Sequence, residues 1–453
     1  MVGFAERLRR LPDAGPGSRK TAAPVALTMP EDRAGQIDAL KRLIAAVQKK
    51  PPGPPVVTQE RLEGRLGVDD GRQLVGERLD DGFGTYFRQV HVLEPHHCHG
   101  TIPVRSALEA CPQMIAKLAL DAKLASIDLS GALFLDTETT GLSMGAGTVP
   151  FLIGVAWFED ESLVIEQLLL ENLGEESPML RRLHALVERS TCIVTYNGKS
   201  YDWPLICSRF VMNRVSPPPD RPHVDLLHMA RRVFRPRLGA ARLVMMEEMV
   251  LGMRRERDID GAEIPGVYWS FLRHKNSAVL SLVMEHNAND LVALAALLAV
   301  LSERIENVHH GDDPIDHLAI AKVAVRAKDF ERALSFAAAA AEGGGTEEVT
   351  SDAELLRGDL LKRFAEYEGA CAAYDAAVEA AGRDRLRAAR AHLALAKLWE
   401  HRFKRFDRAL YHAQHTAPLE SADEQTRRRA RLDKRIARAA IAPKKSRRRA
   451  RAA

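Results

Sequence analysis

The sequence predicts an α/β domain, built on a mixed sheet with flanking helices, followed by an all-α helical-repeat domain. Three observations lead there. Between residues 131 and 300, three consecutive strand-like runs are followed by a helix, a fourth strand and then more helices. From 315 to 420 the chain is alanine-rich, helical in its periodicity and repetitive. Carboxylates stand directly after the first and fourth strand-like runs and again inside a long helix, where a sheet of this order would gather them at one end.

Residues 1–32 are rich in Pro, Gly, Arg and Lys without periodicity, and are expected to be disordered. Residues 33–49 place Ile37, Leu40, Leu43, Ile44 and Val47 at helical spacing, so one amphipathic helix is expected before the Pro-rich linker that starts at Lys49. From Leu74 to Leu108 the chain reads as short strands and turns with no core of their own, which must pack on the central region. ALFLD, from Ala132, is an almost unbroken apolar run, as a strand covered on both faces would be. FLIGVAWFE and SLVIEQLLLE come next, split by the turn at Asp160 and Glu161, and suggest an antiparallel meander. A helix over 176–189 precedes the strand CIVTYNG. Helices are then expected over 202–214, 224–234, 243–251 and about 278–306, with a turn at Pro265-Gly266. In the last third, Phe330, Tyr367 and Phe406 each stand three residues before a small alanine (Ala333, Ala370, Ala409), a little under 40 residues apart. The small residue lets helices approach closely while the aromatic fills the gap. The expected organisation is a basic segment at 1–74, an α/β domain at 75–308, helical repeats at 315–420 and a basic tail at 421–453.

Composition narrows the functional class. A chain of 453 residues corresponds to roughly three domains of about 150, and an apolar share of 46% is enough for a buried core. The net charge of +4 is small, but both ends are basic, the footprint of either a polyanion partner or a solubilising segment. Five scattered cysteines form no CxxC pair and argue against a disulfide framework. No run approaches the roughly 20 apolar residues of a membrane span, and the first residues lack a signal-peptide core. The expectation is a soluble cytoplasmic protein with no membrane partner.

The chemistry lies in the acids. Asp136 and Glu138, two apart at the end of the first strand, project from one face. Such a pair is either a solvated strand end or a site that needs a positive charge between its carboxylates. Asp202 comes after Asn197-Gly-Lys-Ser-Tyr at a helix start, where a carboxylate either caps the helix or reaches into a cleft. His286 and Asp290, at i and i+4, share a helix face as a surface pair or as part of a site. Converging in one cleft, four carboxylates would repel and raise one another's pKa values. Mg²⁺ or Mn²⁺, which prefer hard oxygen ligands, would remove that cost, and two such ions suit in-line phosphoryl displacement.

With those residues in view, a resemblance emerges. Asp136/Glu138, Asn197-x3-Tyr201-Asp202 and His286-x3-Asp290 look like the three motifs of the DEDD 3′–5′ exonuclease superfamily. More closely, LDTETTGL, TYNGKSYDWPLI, HVDLLHMARR, DIDGAEIPGVYW and EHNANDL resemble, in order, the bacterial YprB-type ribonuclease-H-like proteins. The repeats resemble tetratricopeptide repeats over part of their length. The resemblance implies a ribonuclease-H-like fold and a metal-dependent 3′–5′ exonuclease holding two Mg²⁺ or Mn²⁺ ions on Asp136, Glu138, Asp202 and Asp290. Its substrate would be a DNA or RNA 3′ end, and protein partners would dock on the repeats. Thr139, Asn197, Lys199, Tyr201 and Asn287, which flank the acids, are the candidates for substrate contact. His286 is the candidate general base, with a pKa near working pH. It departs from the pattern by standing at the spacing of the tyrosine subclass, so Asn287 is a competing participant. The alternative is a nucleic-acid-binding scaffold with a quiet nuclease fold.

Four weaker signals remain. His96-His97-Cys98-His99 reads as a loop near the cleft in preference to a zinc site, since contiguous residues cannot all face one ion. Asp225 reads as a helix N-cap, with a place near the site as the alternative. Arg231, Arg232, Arg235, Arg237 and Arg242 form a phosphate-tracking cluster or a solvated face. Tyr268 and Trp269 are either core residues or a platform for a terminal base.

Overall fold

The computed structural model describes residues 73–141, 147–256, 258–275 and 277–441. The expected helix at 33–49 and the end of the basic tail lie outside them. The strands are β1 (Glu77–Asp80), β2 (Thr85–Leu93), β3 (Cys98–His99), β4 (Ile102–Pro103), β5 (Ala132–Thr139), β6 (Pro150–Glu159), β7 (Ser162–Leu169), β8 (Cys192–Thr195) and β9 (His223–Asp225). Seven of them form one mixed sheet in the order β1-β2-β7-β6-β5-β8-β9. β5, β6 and β7 make the expected meander. β8 then joins β5 in parallel after the helix α2 (Glu176–Arg189), because a parallel return needs a crossover. The β1–β2 hairpin pairs antiparallel with β7 and so extends the sheet at that edge, which is how the segment without its own core finds one.

Alternation along β5 sends its residues to two cores. Leu133 and Leu135 pack with α2, α3 (Asp202–Met212) and α7 (Ile264–His274). Ala132 and Phe134 pack with α1 (Pro112–Ala119), α4 (Leu226–Val233) and the second half of α8 (Ala278–Glu306). The first two turns of α8, including Leu280 and Met284, belong to the other core. The helix therefore passes from one core to the other at His286–Asp290.

Two local readings are corrected. Residues 223–225 form strand β9 where a helix from 224 was expected: Ile193–Thr195 pair with them, and three residues are too few to show a period. The helix then begins at Leu226, with Asp225 as its N-cap accepting from the Leu227 amide at 3.1 Å. Pro265-Gly266 makes no turn. It opens α7, whose first turn needs no amide from proline. Between α4 and α7 lie the short helices α5 (Arg235–Leu238) and α6 (Leu243–Met246), and α6 runs on as a π-helical turn at Glu247–Leu251.

The remaining helices are α9 (Pro314–Arg326), α10 (Phe330–Glu342), α11 (Glu347–Arg363), α12 (Tyr367–Ala380), α13 (Arg385–Leu398), α14 (Phe406–Ala413) and α15 (Ala422–Ile441). Phe330, Tyr367 and Phe406 open α10, α12 and α14, and Ala333, Ala370 and Ala409 are wholly buried. Two residues before each aromatic, the chain takes a left-handed conformation, at Lys328, Ala365 and Lys404. Each ring also carries a guanidinium: Arg363 over Phe330, Arg402 over Tyr367 and Arg435 over Phe406. The first hairpin shares the core of the α/β domain through Ile320, Val323 and Phe336. It is also tied there by Arg237 to buried Asp316 (2.7 Å) and by Lys117 to Asp329 (2.7 Å).

Candidate active site

β5 delivers the first two acids. Asp136 stands opposite Gly154 of β6 and Glu138 opposite Leu152, and the register slips between Glu138 and Thr139, the kind of irregularity that re-aims side chains. Gly154 leaves room for α8. A Cβ there would fall 2.1 Å from Asn287 Oδ1. Through that gap the fully buried Asn287 donates to Asp136 Oδ2 at 2.8 Å, while its own oxygen accepts from Gln167 Nε2 at 2.8 Å. Asp202, buried at the first turn of α3, comes from the opposite side of the strand and accepts from the Thr137 hydroxyl. Asp290 and His286 come from α8. His286 Nε2 lies 3.8 Å from Glu138 Oε1 and 3.7 Å from Asp290 Oδ2.

These groups feel one another strongly. Burial, then the charges of Asp290 and Asp202, hold Asp136 well above the ordinary carboxylate range. Burial, then Asp136, does the same to Glu138. Asp202 is pushed by burial to about 6, and Asp290 is raised by burial despite His286 and Arg255. Burial opposes a charge on His286, but the Asp258 hydrogen bond and the charges of Asp290 and Glu138 prevail, raising it to about 9.

A second layer of charge, absent from the sequence reading, stands behind Asp290. Arg255, its side chain only 4% exposed, donates to Asp290, to Glu247 at 2.9 Å and to Asp258 at 3.2 Å. Glu247 also takes His99 at 2.8 Å. His99 is seated because Gly100, in a left-handed conformation, lies so close to Leu251 that a Cβ would fall 2.1 Å from its carbonyl oxygen. The histidine-rich loop thus packs beside the cleft, and the π-helical turn supplies its partner.

The other candidates divide between the cleft and the core. Asp225 is more than a cap: it accepts from the Asn197 amide at 2.9 Å and the Lys199 amide at 3.3 Å, holding the loop before Asp202. Lys199 is exposed and Tyr201 half-buried. Thr139 is buried, and its hydroxyl closes the strand end onto Gly141 at 2.9 Å. Tyr268 is a core residue, stacked on Phe151 and bonded to the Leu170 carbonyl, whereas Trp269 is 39% exposed beside the Thr140 carbonyl. Of the arginines, Arg232 holds the Leu118 carbonyl and Arg237 holds Asp316.

The residues 133–302 match the family described as the RNase_H superfamily. This part of the chain is a ribonuclease-H-like domain. The superfamily consists mostly of hydrolytic nucleases that use divalent metals, and the acids Asp136, Glu138, Asp202 and Asp290 all fall within the matched segment. The chain is also 34% identical over 206 residues to "Uncharacterized protein YprB" of Bacillus subtilis (strain 168). That match takes in 44% of this chain and 49% of the relative, so the chain spans about half the length of the relative it matches. All five cysteines are free, and no helix among the described residues is long and apolar enough to cross a membrane.

As the side chains stand, no three His, Cys, Asp or Glu residues among those described surround one ion position. Asp136, Asp202 and Asp290 turn instead to Asn287, Thr137 and Arg255. The donor set itself fits a divalent cation: four largely desolvated carboxylates, all with raised pKa values, are hard ligands that a cation would relieve of mutual repulsion.

Proposed function

We propose that the domain hydrolyses nucleic-acid phosphodiester bonds from a 3′ end, with Asp136, Glu138, Asp202 and Asp290 holding two Mg²⁺ or Mn²⁺ ions. The observation that carries this reading is that Asp136 and Glu138, both desolvated at the end of one strand, feel the charges of Asp202 and Asp290, and Glu138 that of Asp136 as well. When bound, such ions polarise the phosphoryl oxygens and stabilise the leaving oxygen. The chain's own residues supply the rest. Asn287 and Thr137 hold Asp136 and Asp202 in orientation. His286, its Nε2 set between Glu138 and Asp290, accepts the proton of the attacking water. That role needs the neutral ring, and neutralising Glu138 and Asp290 removes two of the charges that raise its pKa. Asn287, wholly buried, serves the acid in place of the substrate. Lys199 and Trp269, both exposed, are the groups available to a phosphate and a terminal base. The tetratricopeptide-like repeats at 315–420 dock a protein partner, and the basic end adds affinity for the polyanion. The protein works in the cytoplasm.

One observation favours the scaffold reading: Arg255 already occupies a carboxylate oxygen of Asp290. A single assay separates the two. Purified protein and Asp136→Ala are incubated with 3′- and 5′-labelled single- and double-stranded DNA and RNA, with Mg²⁺, Mn²⁺ or EDTA. Metal-dependent shortening from the 3′ end, lost in the variant, is expected. Its absence on every substrate sinks the nuclease reading and leaves the scaffold.

A further inference from the structure

His286 stands at a spacing that does not by itself aim the ring. At i and i+4 on one helix face, imidazole and Asp290 emerge side by side, and rotation about χ2 is left open. A residue outside the acidic set closes that freedom. Asp258, in the segment that leads into α7, meets His286 Nδ1 through Oδ1 at 2.6 Å. The same oxygen accepts the Ile259 amide at 3.0 Å, and Oδ2 accepts Arg255 Nη1 at 3.2 Å. The carboxylate is therefore fixed at both oxygens. Arg255 is in turn fixed by Glu247, itself held by His99.

Two groups compete for His286 Nδ1, and they demand opposite ring states. The Asp258 carboxylate, an acceptor, requires a hydrogen on Nδ1. Arg255 Nη1, 3.3 Å away, is donor-only and would require Nδ1 bare. The second arrangement puts the ring hydrogen on Nε2 and leaves no lone pair facing Glu138 and Asp290. The first leaves Nε2 free for the cleft. The shorter contact and the engagement of Arg255 Nη1 by Asp258 favour the first.

We propose that Asp258 is a positioning residue for His286: it holds the Nδ1–H, sets the ring plane and presents Nε2 to the reacting water. Arg255 backs it by locking Asp258 and Asp290 at a fixed separation. The proposal rests on the reading of His286 as the proton acceptor. It gives the DIDG segment a function and explains how a histidine works at the tyrosine spacing. Second partners of this kind fix tautomer and orientation in histidine-based sites generally.

The test has a spectroscopic arm and a kinetic arm. The full chain is labelled with ¹⁵N-histidine, and the downfield proton bound to the His286 Nδ1 nitrogen is assigned by its loss in His286→Gln. It is expected in the wild type, lost in Asp258→Leu, which offers no acceptor for it beside Arg255, and kept in Asp290→Asn. A proton that persists unshifted in Asp258→Leu, or is missing from the wild type, overturns the pairing. On a cleaved substrate, Asp258→Asn is expected to lower kcat by about 10²-fold with KM within about threefold, and to have no further effect in a His286→Ala background. Equal losses in both backgrounds overturn the positioning role. If the wild type cleaves nothing, the hydrolytic reading fails, and the spectra still decide the pairing.

Discussion

Four carboxylates raised by burial, two of them also by the other acids of the set, make the site a source of instability unless a cation is bound. Each group pulls in the same direction with pH. Asp202, at about 6 against an ordinary 3.8, binds its proton more tightly in the folded state, so its contribution is full below about pH 4 and falls as pH rises through 6. Asp136 and Glu138 shift in the same direction. His286, at about 9 against 6.5, contributes fully below 6.5 and loses that contribution as pH rises through 9. All of these act together. In EDTA the Tm should fall from pH 5 to pH 8, and Mg²⁺ or Mn²⁺ should raise it more at pH 8 than at pH 5. Asp136→Asn removes one repelling charge while keeping an acceptor for Asn287, so at pH 8 in EDTA it should raise Tm measurably, about 1 kcal/mol moving Tm by roughly 2–4 °C at 150–250 residues and by less in a longer chain. Asp290→Asn should not, because it leaves Arg255 short of a partner in a site where its side chain is 4% exposed. Thermal melts of both variants across pH test this, and an Asp136→Asn protein no more stable than wild type refutes it.

The elements matter through how closely they approach. Helix α8 reaches Asp136 only because β6 carries Gly154 on that face. Gly154→Ala should displace Asn287, destabilise the protein by about 1–3 kcal/mol and lower metal-dependent activity at least tenfold. Gly266→Ala is the control: it lies in α7, no atom lies within 4 Å of its Cβ position, and removing a helical glycine should stabilise by about 0.5–1 kcal/mol. Urea unfolding and activity measured on both variants decide it, and a Gly154→Ala protein with wild-type stability and rate would count against the packing argument. At this scale the sequence was readable wherever a period had room to show. Helices α2 and α8 lie where their apolar spacing places them. Strand β9 and the Glu247–Leu251 π-helical turn do not show in a period, because one is three residues long and the other owes its form to its neighbours.

For the molecule as a whole, α15 shows that a basic run is not one surface. Leu432 is buried against Ala396, Ala409 and Ala413, Arg431 and Arg435 hold buried Glu400, and Arg428 holds Glu420. Arg427, Lys434 and Arg438 remain exposed along one side. Replacing those three by alanine should leave the fold intact and reduce the salt slope of nucleic-acid binding by roughly 0.7–0.9 for each phosphate no longer neutralised. Arg431→Ala should act instead on stability, by leaving Glu400 buried with fewer partners. Binding titrations across salt concentration, beside thermal melts, separate the two, and an unchanged slope in the triple variant removes α15 from the nucleic-acid interface.

Local spacing alone carried the strands β5 to β8, the alanine-and-aromatic repeat and the four candidate acids, because each is written within a few neighbouring residues. It did not contain the partners. Asp258 and Arg255 come to His286 and Asp290 from about 30 residues away along the chain, Glu247 and His99 from farther, and Asn287 reaches Asp136 across a gap made by Gly154. Periodicity records which face of an element is apolar. Which charge meets which depends on how the packed elements cross, and that is a property of the folded molecule.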